Sequence, residues 1–443
     1  MRQIAVIGGG AAGMMAAVAA ADAGAHVILL EKNEKLGKKV YITGKGRCNL
    51  TNDCDHKEFF RAVISNPKFL YSSFDAFDNA DMIRWIESEG LRIKHERGGR
   101  VFPQSDKASD VIRTLQKAME RRGVIVRLNT QVKELITDKT NNEETDTVAS
   151  GLRLRGEIEN PKKDTKERKK CLGVRLASGE IIETDAVIVA TGGLSYPSTG
   201  STGDGFRWAR KAGLEVKDCR PSLVAFKACF SDRSPVAGLA GLTLKNVGVK
   251  IRQANKTVFS EQGEMMFTHT GVSGPLILTA SCTVKIKDDE EADLLIDWKP
   301  ALSLEQLDAR LLREFDSHKN KEIKNVCGAL LPAAAVAPFL TASGIPHEKP
   351  VHDISRQDRR RLAETLKAFP LTLTGHCGYN EAVITQGGIC VKEIHPATME
   401  SKKIQGLYFA GEVIDLDAVT GGYNLQIAWT TGSAAGRAAA SER

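Results

Sequence analysis

The sequence predicts an α/β protein in which a doubly wound parallel sheet is interrupted by a β-rich insertion and a small helical one. Three observations predict it. Residues Met1–Glu31 read as strand, glycine turn, helix and second strand in one register. Two further buried runs, Asp185–Ala190 and Gly406–Ala410, lead into Thr191-Gly192-Gly193 and Gly411-Glu412. Between those two runs the pattern changes to alternating strands and then to amphipathic helices, which marks inserted domains.

Ile4–Ile7 is apolar and rich in β-branched residues, as suits a strand buried on both faces. Gly8, Gly10 and Gly13 follow as Gly-x-Gly-x-x-Gly, with Ala11 and Ala12 opening a helix that runs to about Ala23 and stops at Gly24. Such a turn lets backbone N–H groups approach a pyrophosphate at the positive end of the helix dipole. A second strand, Val27–Leu30, delivers Glu31, whose carboxylate can accept both hydroxyls of an adenosine ribose and would repel a 2′-phosphate. All of these parts sit in one βαβ unit, and together they predict dinucleotide binding.

Lys32–Lys39 and Thr43–Asn52 follow the ribose-binding acid and belong along the cofactor beyond the adenosine. Lys32, Gly44, Gly46, Arg47, Cys48 and Asn49 are candidate contacts there. Cys48 and Cys54 are too widely spaced for a flavin-coupled disulfide, and of the two Cys48 is the better candidate for chemistry. The nine cysteines contain no Cys-x-x-Cys pair, so reduced thiols are expected.

Helices are expected at Lys57–Ser65, Ala80–Glu89 and Ser109–Arg122, and a strand at Val124–Leu128. A small meander should follow at Gln131–Thr137, Leu172–Ala177 and Ile181–Ile182, turning at Ser178-Gly179-Glu180. Residues 138–170 are crowded with charge and read as a solvated surface insertion. Beyond Gly203, Leu223–Phe230, Leu242–Arg252 and Lys256–Ser260 alternate as antiparallel strands, and Glu264–Pro275 ends the run in turn residues. His269, flanked there by hydroxyls, is a candidate to face substrate or flavin. Leu302–Phe315, Lys321–Leu331, Ala333–Thr341 and Asp358–Ala368 read as helices, and Thr372–Gly375 and Glu381–Thr385 as extended segments. The expected domains are therefore residues 1–200 with 386–443, residues 201–300 with 366–385, and a helical subdomain at residues 301–365.

Thr420–Gln426 opens the last helix with Gly421, Gly422, Tyr423, Asn424 and Leu425. A helix N-terminus so placed can stabilise negative charge on the N1/O2 side of a reduced flavin, which points to FAD as the dinucleotide. Composition adds bounds. Forty-two per cent hydrophobic residues (42%) in 443 fill substantial cores, while no run is long enough to span a bilayer and the N-terminus lacks the features of a signal peptide. A cytoplasmic enzyme without a metal site is expected. The net charge of +7 suits a polyanionic partner as well as a small one.

The stretches Gly8–Gly13, Gly44–Asn52, Ala190–Gly193, Phe267–Pro275 and Tyr408–Asn424 together resemble the YhiN/BaiN-type family of FAD-dependent oxidoreductases nearly end to end. The resemblance implies a flavin domain of the glutathione-reductase kind interrupted by a β-barrel-like and a helical domain. It also implies reduction of an activated carbon–carbon double bond, in a steroid-like enone or in a uracil ring of ribosomal RNA to give dihydrouridine. An older family name implies oxidation of an amine such as aminoacetone.

Only one Gly-x-Gly-x-x-Gly is present, so NAD(P)H is expected as a transient hydride donor without a Rossmann unit of its own. Cys48, Tyr423 and His269 are the candidates for proton delivery. An RNA-binding protein with a structural flavin is the alternative of a different class. A basic stripe of Arg207, Arg210, Lys211, Lys217, Lys245, Lys250 and Arg252 would serve it.

Overall fold

The computed structural model describes residues 1–138, 168–287 and 290–441. Most of the charged stretch read at residues 138–170 lies outside them. The chain divides into two compact units: Met1–Cys219, Gly387–Asp417 and Gly421–Arg443 form the first, and Arg220–Gln386 with Ala418–Thr420 the second. Residues 201–219, expected in the inserted domain, belong to the first unit, where Asp204–Lys211 is a helix.

The first unit is built on β1 (Gln3–Ile7), α1 (Ala11–Asp22), β2 (His26–Leu30), β3 (Ile125–Arg127), β4 (Ala186–Val189), β5 (Leu407–Phe409) and α2 (Tyr423–Ala440). The strands form one parallel sheet in the order β5-β4-β1-β2-β3. Ile4, Ala5 and Val6 of β1 pair with Ala186, Val187 and Ile188 of β4, and all six are fully buried. A central parallel strand covered on both faces has no side to spare for polar residues, which is why these runs are continuous and apolar.

Across this sheet α1 and α2 pack backbone to backbone. A Cβ added at Gly432 would collide with the carbonyl oxygen of Ala12, and one added at Gly436 with that of Ala16. Ala16, Ala17 and Ala20 of α1 are fully buried, so small residues on both helices set the close approach. Around this layer lie the expected meander, Val132–Thr137 with Lys169–Leu176 and Ile181–Glu183, and an antiparallel trio of Thr51–Asn52, Arg100–Pro103 and Ile93–Glu96.

In the second unit six strands close a barrel in the order Phe226–Cys229, Gly271–Ser273, Lys256–Phe267, Thr243–Gln253, Ala292–Asp297 and Phe369–His376. The strand expected to stop at Ser260 runs on to Phe267, and the stretch read as turns supplies the short strand Gly271–Ser273. Behind it Pro275–Thr283 is a helix that the sequence reading missed. Its residues are apolar on almost every side, so no 3.6-residue stripe announces it, although Gly274 and Pro275 are a regular helix opening.

Helices Leu304–Ser317, Ala333–Ser343 and Arg356–Lys367 follow the expected places. Two of them start with capping boxes, Ser303 with Gln306 and Ser355 with Asp358, each of which satisfies backbone N–H groups at the first turn. Leu307, Leu311, Phe339, Leu362 and Leu366 join barrel residues such as Phe226, Ile251 and Leu294 in one continuous core. No helix among the described residues is long and apolar enough to cross a membrane.

Candidate functional site

Strand order assembles the candidate site in the first unit. The carboxyl ends of β5, β4, β1 and β2 lie along one sheet edge, so Gly411-Glu412, Thr191–Gly193, Gly8–Gly13 and Glu31-Lys32 follow one another across it. Gly8 has φ +104, and a Cβ there would lie 2.5 Å from the carbonyl oxygen of Ala190. Gly13 packs equally hard against Gly8. At Gly10, by contrast, a Cβ would meet no protein atom within 4 Å, so this glycine faces open space at the start of α1.

Glu31 is buried, at 7% exposure, yet forms no ion pair among the described residues. Its carboxylate is held by backbone and amide donors: Gly9 N–H at 2.7 Å, Asn33 N–H at 2.8 Å and the Asn33 side chain at 2.7 Å. An ionised carboxylate offers about four acceptor positions, so these three bonds orient it and leave capacity for a hydroxyl. Two polar atoms of the same unit, Thr191 Oγ1 and Asn49 Oδ1, are buried and without a partner among the described residues. Buried polar atoms are almost always paired, and an exception calls for a missing partner. An open glycine cradle, an oriented carboxylate and orphaned acceptors fit a dinucleotide.

Further along the same sheet edge lies a cluster that the sequence reading did not identify. Lys39, on the short helix Lys38–Ile42, forms an ion pair with Glu412 and donates to Ser195 Oγ at 2.5 Å, and Ser195 donates in turn to Glu412 at 2.7 Å. Lys39 and Glu412 lie 373 positions apart, so no local pattern links them. At the opening of α2, Asn52 donates to the Gly421 carbonyl at 3.0 Å, and a Cβ on Gly422 would collide with Thr51. Thr51 is itself bonded to Gln426 at 2.7 Å, and Trp429 donates to the Leu50 carbonyl at 2.9 Å. Leu50 and the strand Thr51–Asn52 thus fix the place of the helix N-terminus, with Asn424 and Leu425 half-buried in its first turn.

Several sequence candidates have other partners. Lys32 pairs with Asp204 and Thr202, each at 2.7 Å. Arg47 pairs with Glu96 and Asp106 and stands over the Phe102 ring at 4.2 Å. Lys45 and Cys48 in the same turn have positive φ, at 58 and 60. Left-handed backbone outside glycine is strained and clusters at functional loops.

The three proton-delivery candidates separate. Cys48 is fully buried and burial pushes its thiol up to about 12, so it is neutral and has no surface to offer a substrate. His269 is exposed in the turn between Lys256–Phe267 and Gly271–Ser273 of the second unit. Tyr423 stands at the first position of α2 with its hydroxyl hydrogen-bonded to Cys54. Burial and the neighbouring Cys54 and Glu58 push that hydroxyl up to about 12. The residues of the basic stripe divide between the two units. Arg207, Lys211 and Lys217 are neutralised by Asp204, Glu134 and Glu215 in the first unit, while Lys245, Lys250 and Arg252 lie on a barrel strand of the second.

The model of the HI0933-like protein Rossmann domain matches residues 2–438. The chain belongs to the HI0933-like family. It is the YhiN/BaiN-type family that the motifs resemble, and membership makes the chain an FAD-dependent oxidoreductase. Among its HI0933-like relatives, the 3-dehydro-bile acid delta(4,6)-reductase of Clostridium scindens is 31% identical over 99% of both chains. The ribosomal RNA dihydrouridine synthase of Escherichia coli is 30% identical over 96% of this chain and 95% of its own. A solved structure, the 3-ketosteroid delta1-dehydrogenase of Sterolibacterium denitrificans, covers 99% of this chain and 100% of its own with a TM-score of 0.51 at 12% identity, a likeness of fold.

Proposed function

We propose that this chain is an NAD(P)H-driven reductase of an activated carbon–carbon double bond, with a uracil ring of ribosomal RNA ahead of a steroid-like enone as substrate. One observation carries the reading: two relatives that match the chain over nearly its whole length bear the names of a bile acid reductase and a dihydrouridine synthase. Both names describe saturation of a double bond conjugated to a carbonyl. The net charge of +7 puts the polyanionic substrate first.

In this reading Gly10, Glu31, Asn49, Thr191 and Glu412 hold FAD, and Lys39 with Ser195 orients Glu412. These residues would hold FAD, which when bound would supply the hydride for the β carbon of the substrate, with a transient nicotinamide as the reductant. Tyr423 is the proton donor for the α carbon. Its hydroxyl is protonated at neutral pH, and the hydrogen bond with Cys54 holds it in place. The positive end of the α2 dipole would stabilise negative charge on the N1/O2 side of the reduced flavin. In this reading the enzyme works in the cytoplasm, where its proposed substrate and hydride donor would be found.

The second reading is an amine oxidase. Anaerobic addition of NADPH, NADH or aminoacetone to the purified flavoprotein separates the two. The expected result is bleaching of the oxidised flavin band by a nicotinamide, and its reoxidation by undermodified ribosomal RNA. Bleaching by the amine alone would overturn the reductase in favour of the oxidase.

A further inference from the structure

We propose that the helical part of the second unit carries a phosphoryl-binding cavity built on the helix Leu304–Ser317. This helix turns Leu307, Leu311 and Phe315 into the core. Its other side, with Leu302 just ahead of it, lines an open cavity of about 420 Å³ through Gln306, Ala309, Arg310 and Arg313. Gln306, Arg310 and Arg313 follow at helical spacing and so stand on one face. The small side chain of Ala309 leaves room between them.

The polar lining consists of donors. Gln306 uses its Oε1 to accept the Ser303 N–H of the capping box, which leaves its amide N–H groups to donate. No carboxylate lines the cavity. Neighbouring arginines of the same unit are matched to acids: Arg359 to Asp308, Arg360 to Glu364 and Arg361 to Asp358. Arg310 and Arg313 have no such match among the described residues, and Glu314, next along the helix, pairs with neither. Lys299 adds a third cation. Burial and the charge of Arg310 both lower its pKa, so Lys299 stands near enough to Arg310 to feel its charge.

Unmatched guanidiniums on one face, without competing acids, suit bidentate bonds to phosphate oxygens. The volume lies in the range of small-molecule sites, roughly 300–1,000 Å³, and exceeds what a lone phosphate fills. A phosphate ester is the ligand class that this donor lining suits. An RNA backbone and a free nucleotide both present that group. This site goes beyond the reductase reading and holds whether or not the flavin turns over.

The test uses the full-length flavoprotein and a labelled oligouridylate, followed by fluorescence anisotropy at several salt concentrations, with adenosine monophosphate as competitor. Arg310→Gln with Arg313→Gln is expected to weaken RNA binding roughly tenfold and to flatten the salt slope by about 1 per lost contact. A matched pair on the barrel strands, Lys250→Gln with Lys256→Gln, removes the same charge elsewhere and is expected to do much less. Displacement by adenosine monophosphate in the parent and not in the arginine variant assigns the cavity to a free nucleotide. Loss of RNA binding without such displacement assigns it to the strand. Equal effects of the two pairs, or none from the arginines, would overturn the site. The visible flavin band reports that each variant is folded.

Discussion

The backbone N–H of Gly9 donates to Oε2 of Glu31 at 2.7 Å, so the glycine turn itself aims the acid at the end of β2. With Asn33 holding the other oxygen through two bonds, the carboxylate is fixed before any ligand arrives. Pre-orientation of this kind reduces the entropy lost on binding.

Glu31→Gln tests that role. The amide keeps the size but loses charge and one acceptor, and its N–H₂ must face either Gly9 N–H or Asn33 N–H. A hydrogen bond to a charged group contributes about 1.5–3 kcal/mol, so FAD affinity should fall by at least tenfold. Titration of the apoprotein with FAD, read by flavin fluorescence, measures it. An unchanged dissociation constant would remove Glu31 from the ribose site.

Lys39 and Glu412 give a second prediction. Their side chains are 21% and 13% exposed, so removing one leaves the other poorly solvated. Lys39→Met should destabilise the protein by more than Lys39→Met in a Glu412→Gln background. A coupling energy of about 1–3 kcal/mol is expected from denaturant unfolding of the four proteins. Strict additivity would mean that the pair does not hold Glu412 in place.

The contrast between Glu31 and Lys39 shows what the sequence could reveal. Glu31 stands in a local βαβ unit whose spacing is set by one strand, one helix and one turn, so a period and a glycine pattern are enough to find it. Lys39, Ser195 and Glu412 follow β2, β4 and β5 in the chain and meet only because the sheet order brings the carboxyl ends of those strands to one edge, and neighbour order is not written in any one segment. The barrel was legible as alternating strands, but its closure through Gly271–Ser273 was not. A strand of three residues is too short to show a period. Lys32 and Arg47 were read as cofactor contacts from their place in the loop. Their partners, Asp204 and Glu96, come from distant segments that a reading of the loop alone does not bring in.

Gly436→Ala reverses an ordinary expectation. In an exposed helix interior alanine is better than glycine by about 1 kcal/mol. Here the new methyl group would run into the Ala16 carbonyl and lie 3.0 Å from Ala19 Cβ and from Ala20 N, all on the packed face of α1. Overpacking costs about 1–3 kcal/mol and should prevail, lowering the melting temperature. A stabilised variant would show that α1 and α2 can separate at no cost.

His376 supplies the pH dependence. Its ring lies 4.7 Å from that of Phe226, and its Nε2 accepts the Ile286 N–H at 3.4 Å while Nδ1 is buried without a partner. Burial, with Arg220 as the nearby charge, lowers its pKa from 6.5 to about 4. Between those values the unfolded chain binds a proton that the folded ring refuses. Stability is therefore fully present above pH 6.5 and declines as the pH falls toward 4. Complete burial would give a slope of about 1.4 kcal/mol per pH unit, and a half-buried ring should give less, about 1 or below. His376→Phe keeps the packing against Phe226, removes the proton and loses only a long hydrogen bond. Denaturant unfolding from pH 7 to pH 4.5 should show the slope in the parent and a flatter one in the variant. Parallel profiles would mean that the imidazole takes up its proton without leaving its place in the barrel.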